Sequence, residues 1–220
     1  MTALPFIDRY RRCFDATWKD DVHIDQVRFV ILDSETTGLN PCTDRIVTIG
    51  AVAVQAGEIL LEDSFEALLK IPRNTAAVTV HGVTRNESRQ GIEEHEALER
   101  FLNYVKDGVI VGHHIGHDIA TFDAAYERHW NFRLSNRCVD TMELMLHLVK
   151  DGAFADRPPV RRYTLDALCE IFGVIPYDRH TAAGDAFITA QVFLRLRWLA
   201  IKFGRERLGR LSEPFEDEQR

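Results

Sequence analysis

The sequence predicts an α/β domain in which a central mixed β-sheet is flanked by α-helices. Two observations carry that expectation. Strand-like segments at 27–33, 46–54 and 58–69 follow one another with turn signals between them, the pattern of a strand meander. Beyond them, short apolar runs at 109–111 and 138–140 alternate with stretches of helical periodicity. Strands that alternate with helices build sheets with helices packed on their faces.

Taken in order, residues 1–26 stand apart as an N-terminal helical extension. Phe6, Tyr10, Phe14 and Trp18 recur at near-helical spacing and form a stripe suited to packing on the domain. The domain itself is expected over 27–205. Thr36-Thr37-Gly38 with Asn40-Pro41 reads as a turn after the first strand, and Gly57 as a hairpin between the second and third. Over 93–106, Leu98, Phe101, Leu102 and Val105 fall at i, i+3, i+4 and i+7, so a helix buries one face there. A further helix follows from about Asp118, and another covers 142–149. Residues 157–162, with Pro158-Pro159, read as a surface loop. Tyr163-Thr164-Leu165 opens a helix that Gly173 ends, and a long last helix runs over 183–203. Residues 206–220 are expected to form a polar C-terminal tail.

A length of 220 residues, 45% of them hydrophobic and 28% charged, suits one sizeable domain. The net charge of −7 excludes a global basic field for nucleic acid. Local basic groups remain: Arg9, Arg11 and Arg12; Arg157, Arg161 and Arg162; and Arg195, Arg197, Lys202, Arg205, Arg207 and Arg210. Each could contact phosphate or be an ordinary solvated face. Cys13, Cys42, Cys138 and Cys169 are far apart and form no CxxC pair, which argues against zinc ribbons and disulfide frameworks and for a reducing cytoplasm. No apolar stretch approaches the length of a membrane span. Neither GxGxxG nor GxxxxGK[ST] occurs, which excludes those dinucleotide and P-loop signatures.

The chemistry is carried by separated acids and one late histidine. Asp33 and Glu35 end the apolar run Phe29-Val30-Ile31-Leu32, and alternate strand residues share a face, so both carboxylates project from one side of its tip. Acids at the end of a buried strand are costly without a compensating cation. Hard divalent ions that prefer oxygen, magnesium or manganese, are the usual answer. Asp118 and the pair His180 and Asp185, five residues apart, add further candidates. The pattern points to metal-dependent phosphate chemistry.

The string Asp33-Ser34-Glu35-Thr36-Thr37-Gly38 resembles the first motif of the DEDD superfamily of 3′–5′ exonucleases. Gly112-His113-His114-Ile115-Gly116-His117-Asp118 resembles the second, and His180-Thr181-Ala182-Ala183-Gly184-Asp185 the third in its histidine type (DEDDh). His81-Gly82-Val83-Thr84 is similar to a segment beside the bound 3′-terminal nucleotide, and Asp140-Thr141 and 165–168 also fit. The strings ETTGL, IGAVAV and HTAAGDA look most like the epsilon-type proofreading group of bacterial DNA polymerase III. The resemblance spans about residues 27–200. It implies an RNase H-like exonuclease fold, two bound Mg²⁺ or Mn²⁺ ions, and stepwise release of nucleoside 5′-monophosphates from the 3′ end of single-stranded or frayed DNA.

On that reading Asp33 bridges the metals, Glu35 and Asp185 complete one shell, Asp118 holds the other, and His180 takes the proton of the attacking water. Two ions about 3.5–4 Å apart can activate water and relieve charge on both reacting oxygens. Thr36, Thr37 and His81 are the candidate substrate contacts; the two threonines offer backbone N–H groups or simply shape the turn. His114 stands where the family has asparagine and His117 where it has an aromatic. Asp123 rivals Asp118, which better fits the spacing from Gly112-His113. The cluster His113-His114-His117 also admits a zinc reading, against which stand the missing HExxH glutamate and the helix-disfavouring Gly112 and Gly116. Alternatives to the DNA exonuclease are an exoribonuclease trimming RNA or short oligonucleotides, and a non-catalytic nucleic-acid-binding or assembly module. A DNA polymerase subunit is a candidate partner.

Overall fold

The computed structural model describes residues 4–16, 18–71, 91–154 and 163–215. His81, the basic group Arg157, Arg161 and Arg162, and the end of the expected tail lie outside them. The elements in chain order are α1 (Pro5–Cys13), β1 (Phe29–Thr36), β2 (Ile46–Gln55), β3 (Glu58–Leu68), α2 (Glu94–Val105), β4 (Val109–Gly112), α3 (Gly116–Trp130), β5 (Cys138–Asp140), α4 (Thr141–Lys150), α5 (Leu165–Phe172), α6 (Ala182–Lys202) and α7 (Leu208–Leu211). A 3₁₀ turn over Phe14–Ala16 extends α1.

The strands form one mixed sheet in the order β3-β2-β1-β4-β5. β1 is antiparallel to β2 and parallel to β4, and β4 is parallel to β5. The strand period of two sorts β1 between the two layers. Phe29 and Ile31 face the core built with α4, α5, α6 and α7. Val30 and Leu32 face the core built with α1, α2 and α3. This is the mixed sheet flanked by helices that the sequence predicts.

Three differences matter. β1 does not stop at residue 33: its ladder with β2 continues through Asp33↔Gly50 and Glu35↔Thr48, so both acids are held by strand pairing. α3 begins at Gly116, which puts Asp118 in its first turn. Residues 206–215, expected as polar tail, contain α7, whose Leu208 and Leu211 are fully buried. That segment is apolar at the two positions which meet the core, a signal too short to show in its composition.

Two of the basic residues of the last local group, Arg197 on α6 and Arg205 just after it, are spent internally. Arg197 pairs with Asp25, and Arg205 with Asp151, both guanidinium groups being buried. Those two arginines hold the fold together and do not face a polyanion.

Candidate active site

β1 carries Asp33 and Glu35 on the side facing α6. The N-terminus of α6 approaches β2 closely enough to present Asp185 beside them. A Cβ on Gly50 would lie 2.3 Å from the Ala182 carbonyl carbon and from the Ala183 nitrogen, so only glycine allows this approach. Carboxylate oxygens of Asp33, Glu35 and Asp185 lie within 4.8 Å of one another. Thr181 caps α6, its hydroxyl accepting from Gly184 N–H at 3.0 Å.

Asp118 arrives from the other layer. Ser34, which points to that face of β1, donates its hydroxyl to Asp118 Oδ1 at 2.6 Å. The acid is buried in the first turn of α3, where the helix dipole favours negative charge. Asp123 sits elsewhere: its Oδ1 accepts from the Leu134 N–H at 2.9 Å and so closes the loop after α3. The structure thus brings Asp118, and not Asp123, to the cluster.

The electrostatics follow from four acids crowded together. Burial, then the facing charges of Asp118, Asp185 and Glu35, hold the Asp33 carboxyl well above the usual carboxylate range, against the pull of Arg179. Burial, then Asp185 and Asp118, pushes Glu35 up to about 7. Burial pushes Asp118 up to about 6, and its hydrogen bond from Ser34 opposes that rise. A set of hard oxygen donors whose charged forms repel one another fits a hard divalent cation, which would relieve the repulsion.

His180 opens the approach to α6. Its backbone is left-handed at φ +64°, its side chain is exposed, and its N–H donates to Asp185 Oδ2 at 3.2 Å. The residue before it carries no motif signal in the sequence, yet Arg179 contacts Asp185 Oδ1 through Nη1, and its Nε lies 2.8 Å from Asp166 Oδ1. Burial alone would lower the Arg179 pKa, but its hydrogen bonds to the two acids outweigh that and keep the guanidinium charged. Its place next to His180 was the one available signal. Ser34, between the two motif acids, is equally unmarked.

The histidine loop is built for position. His113 Nδ1 is 2.9 Å from Thr141 Oγ1, and Asp140 accepts from the N–H groups of Ile115 at 3.1 Å and Met142 at 2.8 Å. Burial, then His114, pushes His113 down to about 4, so its ring is neutral at physiological pH. Among the described residues, none of His113, His114 and His117 joins a group with metal-ligand spacing.

The threonines shape their turn. Thr36 Oγ1 donates to Gly38 O at 2.7 Å, and Thr37 Oγ1 to Asp44 Oδ1 at 2.9 Å. The Thr37 N–H is bonded to Arg45 O at 2.9 Å and is not available to a nucleotide.

The exonuclease family model of the RNase T type matches residues 30–193. This chain belongs to that exonuclease family. A PolC-type DNA polymerase III from Thermotoga maritima is 35% identical over 205 residues, covering 88% of this chain and 14% of the relative. Another, from Caldanaerobacter subterraneus, is 31% identical over 170 residues, covering 76% of this chain and 11% of the relative. The chain therefore spans about one-seventh of the length of these relatives or less. Among solved structures, E. coli exonuclease I in complex with a dT13 oligonucleotide superposes with a TM-score of 0.68 at 18% identity, covering 81% of this chain and 43% of that one. Cell-death related nuclease 4 gives a TM-score of 0.67 at 14% identity, covering 83% and 66%. Both show the RNase H-like exonuclease fold, and the family places the chain in the DEDD superfamily.

Proposed function

We propose that the chain is a metal-dependent 3′–5′ exonuclease that releases nucleoside 5′-monophosphates from single-stranded or frayed DNA. The observation that carries this reading is the meeting of Asp33, Glu35 and Asp185 within 4.8 Å, with Asp118 delivered to the same strand tip by Ser34. Asp33, Glu35, Asp118 and Asp185 would hold two Mg²⁺ or Mn²⁺ ions, with Asp33 shared between them. Such ions, when bound, lower the pKa of water and stabilise charge on the attacking and leaving oxygens.

The side chains supply the rest. His180, exposed at the rim, accepts a proton from the attacking water. Asp140 and Thr141 fix the loop that carries His113 and leads into Asp118. Thr36, Thr37 and His81 would serve the terminal nucleotide, Thr37 by holding the shape of its turn. A duplex end must fray to enter, so single strands are the better substrate. Similarity to PolC-type polymerases supports DNA as the polymer and a polymerase as partner in a bacterial cytoplasm. No helix of the described residues is long and apolar enough to cross a membrane.

Digestion of matched 3′-labelled and 5′-labelled DNA and RNA oligomers tests the reading. The expected result is immediate release of labelled mononucleotide from the 3′ end, with DNA favoured. Faster cleavage of RNA would transfer the site to exoribonuclease work. Binding of oligomers without cleavage in either metal would favour an assembly module.

A further inference from the structure

Asp185 has both carboxylate oxygens engaged by the two residues that lead into its helix: Oδ1 by the Arg179 guanidinium and Oδ2 by the His180 N–H at 3.2 Å. The same guanidinium reaches Asp166 Oδ1 at 2.8 Å. Its two partners differ sharply. The Asp185 side chain is 8% exposed and faces the acidic cluster, whereas that of Asp166 is 67% exposed and faces solvent at the start of α5. Arg179 therefore spans from the metal-ligand candidates to the surface.

A guanidinium and a divalent cation that share one carboxylate oxygen compete for its lone pairs and repel each other. Phosphate is the other ligand whose geometry matches the guanidinium fork. We infer that Arg179 couples metal binding to substrate binding: it holds Asp185 Oδ1 against the cation until a nucleotide phosphate draws the guanidinium away. The inference rests on the proposed nuclease reading and makes Arg179 a positioning residue that acts through Asp185. Linkage requires that metal and nucleotide each tighten the other by the same factor. Asp166 offers an independent handle. Removing its charge leaves the guanidinium to Asp185 alone and strengthens the competition.

Calorimetric titration of Mn²⁺ tests this, with and without thymidine 5′-monophosphate, thymidine serving as the phosphate-free control. In the wild-type protein the monophosphate should tighten manganese binding by about tenfold, and thymidine should not. Arg179→Gln should bind manganese alone as tightly as the wild type does with nucleotide, and nucleotide should then add less than about twofold. Asp166→Asn, a change at an exposed side chain that leaves the fold intact, should bind manganese alone more weakly than wild type. Wild-type or weaker affinity in Arg179→Gln, full coupling retained in that variant, or tighter binding in Asp166→Asn overturns the proposal and leaves the nuclease reading standing. A wild-type protein that binds no manganese overturns both.

Discussion

At the scale of the residue, Glu35 measures how strongly the acids of the cluster repel. Its carboxyl is pushed up to about 7, so the metal-free folded state keeps a proton that the unfolded chain, with a glutamate pKa of about 4.3, has released. Stability contributed by this group is therefore lost as pH rises from about 4.5 to 7. His113, pushed down to about 4, acts in the opposite sense between about 4 and 6.5, so the two must be separated by mutation. In metal-free buffer Glu35→Gln should match the wild type near pH 4.5 and exceed it by about 1–2 kcal/mol at pH 7.5, a figure reduced for the partial exposure of the carboxyl. Parallel pH–stability curves from denaturant unfolding would remove the electrostatic account. Asp118 and Asp123 offer a second contrast. Asp118→Ala should be nearly inactive, while Asp123→Ala should keep its activity and lose about 1–3 kcal/mol of stability through the unpaired Leu134 N–H. His180→Ala should melt like the wild type, because the side chain is exposed, and turn over about 10²–10⁴-fold more slowly. An unchanged rate would take proton transfer away from this histidine. Asp33 and Glu35 were legible as a pair because alternate strand residues share a face, and Asp185 by its place five residues after His180. Ser34 and Arg179 were not, because each acquires its role from an acid on another element.

At the scale of the element, strand pairing and one close helix approach place the chemistry. The sequence marks β1 by its apolar run, yet its polar last residues hide the fact that the ladder with β2 carries on through Glu35. Backbone pairing is indifferent to side-chain polarity, so a hydrophobic pattern ends before the strand does. The crossing of α6 over β2 was equally hidden, since Gly50 in the sequence is only a gap in an apolar strand. A Cβ at that position would meet the Ala182 and Ala183 backbone, which cannot swing aside as a side-chain tip can. Gly50→Ala should lower stability by about 1–3 kcal/mol and reduce activity further than the stability loss explains, because α6 moves and takes Asp185 with it. A variant with normal turnover would show that the approach is not what positions Asp185.

At the scale of the whole molecule, the helical layers on the two sides of the sheet each send one acid to the end of β1. α6 supplies Asp185 from one layer and α3 supplies Asp118 from the other. The layer arrangement was legible from the order of strands and helices. The attachment of the chain's outer segments was less so. Of the expected stripe, Phe6, Tyr10 and Phe14 pack on one core while Trp18, beyond the helix, packs on the other, and the anchor is polar: Tyr10 Oη accepts from Ser135 N–H at 2.8 Å and donates to Asn136 Oδ1 at 2.5 Å. α7 closes the opposite layer, a role that two leucines in a charged segment do not announce.

The measurement that bears most directly on the central claim is mononucleotide release from 3′-labelled single-stranded DNA by wild-type protein and by Asp33→Asn, in magnesium, in manganese and after exhaustive chelation. The wild type should release nucleoside 5′-monophosphate in either metal and none after chelation. Asp33→Asn, folded by circular dichroism, should release none in any condition. Undiminished release after chelation, or by Asp33→Asn, would contradict a metal site built on the tip of β1.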